Sequence, residues 1–440
     1  MAFGLTRRSF LSAGASLALP RALRAQAAFD TDVAIIGAGA AGLGAARACA
    51  REGKRFVVLE ARERIGGRVF TDTSLGLPYD AGAYYIHWAE RNPWRQIAAD
   101  LGFSLRDEGA IPAGEWLSFE NGARVERTSR RRRQFAELSR RFDTDQTEVP
   151  DVSFTVHVAD APDLLPGARG MARMAVGEEA ERISALDYAR LWSGDDLIVP
   201  EGYGALAQRA WAQVPVRLST PVTHIRWDGQ GVVVESPLGS LTARAAIVTV
   251  PVGVLAKGAI RFTPGLPAVT QEGLGGLAMG ALTKIGLRFE GTRFGLPANS
   301  NLWDEIPGKG GVNFECWPFD RNLIVAVFGG DLAREVLAQG ERGAVEIMLE
   351  RLSAVLGDEA RRAFAGASVN GWATDPFAMG CYSHALPGQA GARAKLATPV
   401  AERIWFAGEA TAAGDGDFGA AMTAGGAYLA GEAAARAVRV

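Results

Sequence analysis

Gly37, Gly39, Gly42 and Glu60 are the residues whose types and spacing first suggest chemistry. The glycines close the apolar run Val33-Ala-Ile-Ile36, and Glu60 lies 18 residues beyond Gly42. That is the layout of a dinucleotide site. Gly37 permits a tight turn, Gly39 lets a pyrophosphate approach the backbone, and Gly42 lets a helix pack on a strand. The helix that follows offers unpaired N–H groups to phosphates. Glu60 ends a second strand, where a carboxylate accepts hydrogen bonds from ribose hydroxyls. Arg64-Ile-Gly-Gly-Arg68 comes next: paired glycines bring backbone close to a ligand, and arginines can meet phosphate charge. Lys284 stands in Gly280-Ala-Leu-Thr-Lys-Ile-Gly-Leu-Arg-Phe289, with apolar neighbours at alternate positions. Such a lysine is costly to bury unless it serves a purpose. On the residues alone, an edge-strand lysine reaching outward to water is the better reading. The three cysteines, Cys49, Cys316 and Cys381, have no metal-type spacing, so no metal site is expected. No nucleophile triad is found either.

The segment Glu60-Ala61-Arg62-Glu-Arg64-Ile-Gly66-Gly67-Arg68 resembles the FAD-binding hallmark of the flavin-containing amine oxidases. That family includes monoamine oxidases, polyamine oxidases and flavin-type lysine demethylases. The resemblance implies FAD as the dinucleotide, and it extends over nearly all of the chain beyond the N-terminal segment, least over 110–197. Asp80-Ala-Gly82-Ala83-Tyr84-Tyr85-Ile-His87 is similar to the family segment at the flavin ring edge, with Gly82, Ala83 and Tyr84 against the cofactor and Tyr85 and His87 toward substrate. Val222, in Thr220-Pro-Val, matches the valine whose backbone pairs with adenine. Lys284 matches the lysine that holds a water against flavin N5. In Trp372-Ala-Thr-Asp375-Pro-Phe-Ala-Met-Gly380-Cys381-Tyr382-Ser383, Trp372 and Tyr382 would align the amine. Cys381 occupies the slot of the flavin-bonded cysteine of monoamine oxidases; a small buried residue beside noncovalent FAD is the other reading. Gly408 and Glu409 match the late FAD motif. Thr423 and Ala424 open the last helix, whose N–H groups would face the flavin pyrimidine ring, with Thr423 also lining the substrate space. Asp415-Gly-Asp417 lies in a stretch longer than the family usually has there.

The activity so implied is FAD-dependent oxidation of a polyamine or other primary or secondary amine. Hydride passes to flavin N5, the imine hydrolyses to an aldehyde, and oxygen becomes hydrogen peroxide. Within flavin chemistry the alternatives are a monoamine oxidase, an L-amino-acid oxidase, and a desaturase or protoporphyrinogen-type oxidase. Tyr85 stands where L-amino-acid oxidases carry an arginine, which counts against them. A nicotinamide dehydrogenase and a non-catalytic flavoprotein are the readings from other classes.

Elements must position these residues. The expected class is α/β. A Rossmann-like, glutathione-reductase-like FAD domain (29–85, 201–261 and 385–440) is joined to an α+β substrate domain (86–200 and 262–384), whose mixed sheet is flanked by helices. Periodicity predicts helices over Arg131–Phe142 and Ser184–Trp192 and strands over Pro221–Trp227, Ala245–Val250, Leu282–Phe289 and Leu323–Phe328. A chain of 440 residues with formal charge −2 is large enough for two cores and carries no nucleic-acid footprint. The runs Arg130–Arg133 and Asp143, Asp145, Glu148, Asp151 read as solvated. Thr6-Arg7-Arg8-Ser9-Phe10-Leu11, an apolar stretch to Leu19, and Ala25-Gln26-Ala27 form a twin-arginine export signal over 1–27. The expectation is a soluble periplasmic protein with no stable membrane anchor, whose partners are a small amine and oxygen; the oligomeric state is not legible.

Overall fold

The computed structural model describes residues 29–126, 129–143, 148–412 and 419–439. The export signal, Asp145, Asp415, Asp417 and the side chains of Arg130 to Arg132 lie outside the described residues.

The strand Thr31–Ile36 is apolar on both faces because both are covered. Val33 and Ile35 point into one core with the helices Ala40–Arg51 and Ala424–Ala437, while Ala34 and Ile36 point into another with Val222, Val248 and Phe406. Gly37 has φ +111°, and a Cβ there would lie 2.5 Å from Thr249 Oγ1. A Cβ on Gly42 would lie 2.1 Å from the Gly37 carbonyl, so helix and turn touch only because both are glycine.

This strand sits inside an eight-stranded sheet. The order is Val216–Arg217, Phe56–Leu59, Thr31–Ile36, Gly239–Val248, Val232–Ser236, His224–Arg226 and Arg261–Thr263, with Ile404–Phe406 parallel to Gly239–Val248. The predicted strand over Pro221–Trp227 shortens to His224–Arg226, and the one from Ala245 begins at Gly239, where it forms a hairpin with Val232–Ser236. Phe262, Leu266, Leu274 and Leu277 pack into the core of this first sheet, so 262–279, grouped by sequence with the substrate unit, belongs structurally with the Rossmann-like unit.

A second, seven-stranded mixed sheet runs Phe364–Asn370, Thr283–Phe289, Leu323–Phe328, Gly310–Cys316, Ser300–Ile306, Trp116–Glu120 and Ala123–Val125. Its back packs on the helices Asp331–Leu337 and Gly340–Leu356. Helix Ser129–Arg141 forms close to its predicted span. The helix predicted over Ser184–Trp192 is only Ala185–Ala189: Ser184 caps it, and the chain then turns away so that Trp192 N–H donates to Gly419 O (2.8 Å). All three cysteines are free.

Candidate active site

A cavity of about 1030 Å³ lies between the two sheets, at the upper end of ligand-site volumes. Its walls include Gly37, Gly39, Glu60, Ala61, Arg62, Gly67, Arg68, Val222, Gly408 and Glu409 on the Rossmann-like side. Gly82, Ala83, Tyr84, Tyr85, His87, Lys284, Trp372, Cys381, Tyr382, Thr423 and Ala424 also line it. Gly42 does not; its role is packing, as above.

The cavity fits a dinucleotide. A Cβ on Gly39 would meet no protein atom within 4 Å, so open space stands at the N-terminus of helix Ala40–Arg51. The Glu60 carboxylate is fixed by N–H donors from Ala38 (2.7 Å) and Arg62 (2.9 Å). Gly82 passes so close to the Arg68 carbonyl that a Cβ would lie 1.9 Å from it.

The arginines of this segment have protein partners as well. Arg62 makes a bidentate pair with Asp375, both contacts at 2.7 Å. Arg64 lies over the Phe70 ring (4.2 Å) and donates to the carbonyls of Ile65 and Gly67; burial lowers its pKa to about 10. Arg68 donates to Cys381 O (2.7 Å) and Glu409 Oε1 (3.0 Å). All three guanidinium groups thus have protein acceptors that fix them in place, and Arg62 and Arg68 also line the cavity. Glu409 also accepts from Ser383 Oγ (2.7 Å). Ser383 Oγ accepts in turn from Arg393 (2.9 Å), whose guanidinium pairs with Asp187 at 2.7 and 2.9 Å. Arg393 and Asp187 are 1% and 5% exposed at their side chains, so this chain of contacts is fully internal. Burial opposes the Asp187 carboxylate, yet Arg393 holds its pKa below the usual range.

Lys284 is not on an edge. Its strand lies between Leu323–Phe328 and Phe364–Asn370, in register with Val327 and Asn370. Its Nζ donates to Asp80 O (3.0 Å) and Gly82 O (3.1 Å) and stands 5.0 Å from the Tyr84 ring centroid. Burial holds its pKa below the usual lysine value, while Glu315 and Asp80 oppose that shift. Across the sheet face, Asn313 and Glu315 line the same cavity. Burial pushes the Glu315 carboxyl up and Lys284 opposes the rise. Among the described residues no group donates a hydrogen bond to the Glu315 carboxylate, while its backbone is paired in the sheet.

Trp372 is fixed by donating from Nε1 to Ala81 O (2.9 Å). The Tyr382 phenol is pushed well above its usual pKa by burial. Tyr85 donates to Glu108 (2.7 Å), and His87 Nδ1 lies 3.0 Å from Asp196. The Thr423 hydroxyl, expected toward substrate, is committed to capping: it accepts from Gly426 N–H (3.0 Å) and donates to Ala420 O (2.8 Å). Cys381 Sγ accepts from Leu282 N–H (3.2 Å), and burial raises the thiol to about 12.

Comparisons with known proteins agree with this geometry. Residues 115–439 match the family model for flavin containing amine oxidoreductase, and 35–101 that for an NAD(P)-binding Rossmann-like domain. The chain is 29% identical over 429 residues to polyamine oxidase 4 of Oryza sativa subsp. japonica, covering 88% of this chain and 85% of that protein. It is 28% identical over 425 residues to polyamine oxidase 2 of Arabidopsis thaliana, covering 86% and 83%. Lysine-specific histone demethylase 2 of Homo sapiens is 25% identical over 446 residues, covering 92% of this chain but only 54% of the demethylase. Among solved structures, wild-type putrescine oxidase bound to putrescine superposes with TM-score 0.76 at 20% identity, covering 92% of this chain and 98% of the other.

Proposed function

The chain belongs to the flavin containing amine oxidoreductases, and from that membership we propose that it oxidises a polyamine or diamine, an amine carrying a second cationic nitrogen. The enzyme class and the FAD cofactor follow from the family; the substrate class rests on Glu315. That carboxylate lines the cavity without a hydrogen-bonding partner among the described residues, so it is open to an ammonium group brought by a ligand.

Bound FAD supplies the two-electron acceptor. The protein supplies the rest. Backbone at Gly39 and the N-terminus of helix Ala40–Arg51 would hold the pyrophosphate, and Glu60 the ribose. Trp372 and Tyr382 form an aromatic wall that shapes the space for the amine and attracts nitrogen weakly. Lys284, strung between two carbonyls, holds a donor at a fixed point of the cavity wall, where it can orient a water. The apolar lining keeps the site dry and the amine oriented.

Oxidation of the C–N bond to an imine, hydrolysis to an aldehyde, and reoxidation by oxygen with release of hydrogen peroxide complete the proposed reaction. We further propose that FAD is held noncovalently, because the buried Cys381 thiol is kept protonated and already accepts from Leu282. Twin-arginine export to the periplasm is supported by Thr6–Leu11; replacing Arg7 and Arg8 with lysine should retain the protein in the cytoplasm. The decisive experiment is anaerobic bleaching of the flavin absorbance over polyamines, diamines, monoamines and amino acids. Bleaching by diamines and polyamines ahead of monoamines supports the reading; bleaching by amino acids alone, or by no amine, overturns it.

A further inference from the structure

Lys284, Glu315 and Tyr84 line a second cavity as well as the first. It measures about 20 Å³, and its other walls include Val199, Pro318, Phe319, Arg321 and Val325, none of which borders the large cavity. That volume suits one water molecule, and the polar walls provide the partners a buried water needs. The wall from 317 to 321 is unusual. Trp317, Phe319 and Asp320 have φ of 56°, 53° and 62°, left-handed values at three non-glycine residues. Arg321 fastens this turn by donating to Pro78 O (2.9 Å) and Pro200 O (2.5 Å). Such strained backbone persists only where its surroundings enforce it, and it concentrates at functional sites. The charged and titratable groups acting on the Lys284–Glu315 pair are Asp80 and Glu108, while Tyr84 and Arg321 stand in the walls.

We propose that this well holds one ordered water between Lys284 and Glu315, and that protons leave the pair through it while an amine fills the large cavity. The proposal rests on the amine reading above. An alkylammonium must lose one proton from nitrogen before its C–H bond can break as hydride. Lys284 as a neutral amine keeps two N–H bonds for the carbonyls of Asp80 and Gly82 and has a lone pair to accept that proton. The ammonium so formed, steadied by Glu315, passes a proton to the well water, which releases one to bulk solvent past Phe319. The first transfer breaks one N–H bond and forms another, the second breaks an N–H and forms an O–H, the third exchanges one O–H for another, and nothing is oxidised or reduced.

The test uses the holoenzyme. A high-resolution crystal structure should show a water within hydrogen-bonding reach of Lys284 and Glu315. Val325→Ile and Val199→Leu each fill the well from a wall the large cavity does not share, so one serves if the other fails to fold. In an anaerobic single turnover with a pH-indicator dye, both should slow proton appearance in bulk at least tenfold, with KM unchanged. A dry well, a well that takes xenon instead of water, or wild-type proton release from a variant whose crystal structure shows the well filled would each overturn the proposal. If no amine bleaches the flavin, the amine reading fails by itself, and the crystallographic water still decides whether the well is hydrated.

Discussion

Arg62 and Asp375 face each other fork to fork, two contacts at 2.7 Å across 313 positions of sequence. This pair joins the glycine-rich cofactor segment to the loop that carries Trp372 and Tyr382. Asp375→Asn should weaken it to a single neutral contact and leave a half-buried guanidinium short of charge. A cost on the order of 2 kcal/mol is expected, less than for a fully buried pair. It should appear as a lower melting temperature of the holoenzyme together with weaker FAD retention on dialysis.

Lys284→Met keeps the length of the side chain and removes the donor. Flavin reduction or reoxidation should slow at least tenfold, roughly 1.4 kcal/mol of barrier. Stopped-flow rates unchanged in both half-reactions would remove Lys284 from the mechanism.

Glu315→Gln keeps the shape and removes the charge. Diamine and polyamine KM should rise roughly tenfold to a hundredfold, about 1.4–2.7 kcal/mol, while monoamine KM changes little. An equal rise in KM for both substrate classes would remove Glu315 from recognition of the second nitrogen.

Acid precipitation should release yellow FAD into the supernatant, since the Cys381 thiol is raised to about 12 and carries no bond to the cofactor in this reading. Colour that stays with the pellet, and disappears from it in Cys381→Ala, would establish a covalent link instead.

His384 is 1% exposed, and neither ring nitrogen has a hydrogen-bonding partner among the described residues. Burial lowers its pKa from 6.5 to about 4, with Glu178 and Asp187 opposing and Arg393 and Arg334 reinforcing the shift. The folded pKa lies below the unfolded one, so the unfolded chain binds the extra proton first. Stability is therefore full above pH 6.5 and is lost as pH falls toward 4, by up to roughly 3 kcal/mol. His384→Leu should flatten the melting temperature between pH 7 and pH 5; an unchanged slope would trace acid sensitivity to other groups.

The Rossmann-like unit was legible because each of its signals is local. A glycine turn, an apolar strand and an acidic residue at fixed spacing announce one another within thirty residues. Lys284 was legible only through resemblance, since strand periodicity does not say whether a strand is central or at an edge. Glu315 went unread, although its strand carries a signal: in Gly310–Cys316, Asn313 and Glu315 alternate with Val312, Phe314 and Cys316. A polar face on a strand between two apolar ones is a cavity wall more readily than a solvent face. Asp187 and Arg393 had no signal, because their pairing spans 206 residues and exists only in three dimensions. The protein partners of Arg62 and Arg68 had no signal for the same reason: Asp375, Cys381 and Glu409 come from distant segments.

The Asp187–Arg393 pair ties the short helix behind the substrate space to the ground on which the cofactor rests. Swinging the two lobes apart like a clamshell would strip an anhydrous ion pair of its counterpart, an opening no small amine could drive. The two lobes should therefore stay together throughout turnover, and substrate exchange should not need them to part.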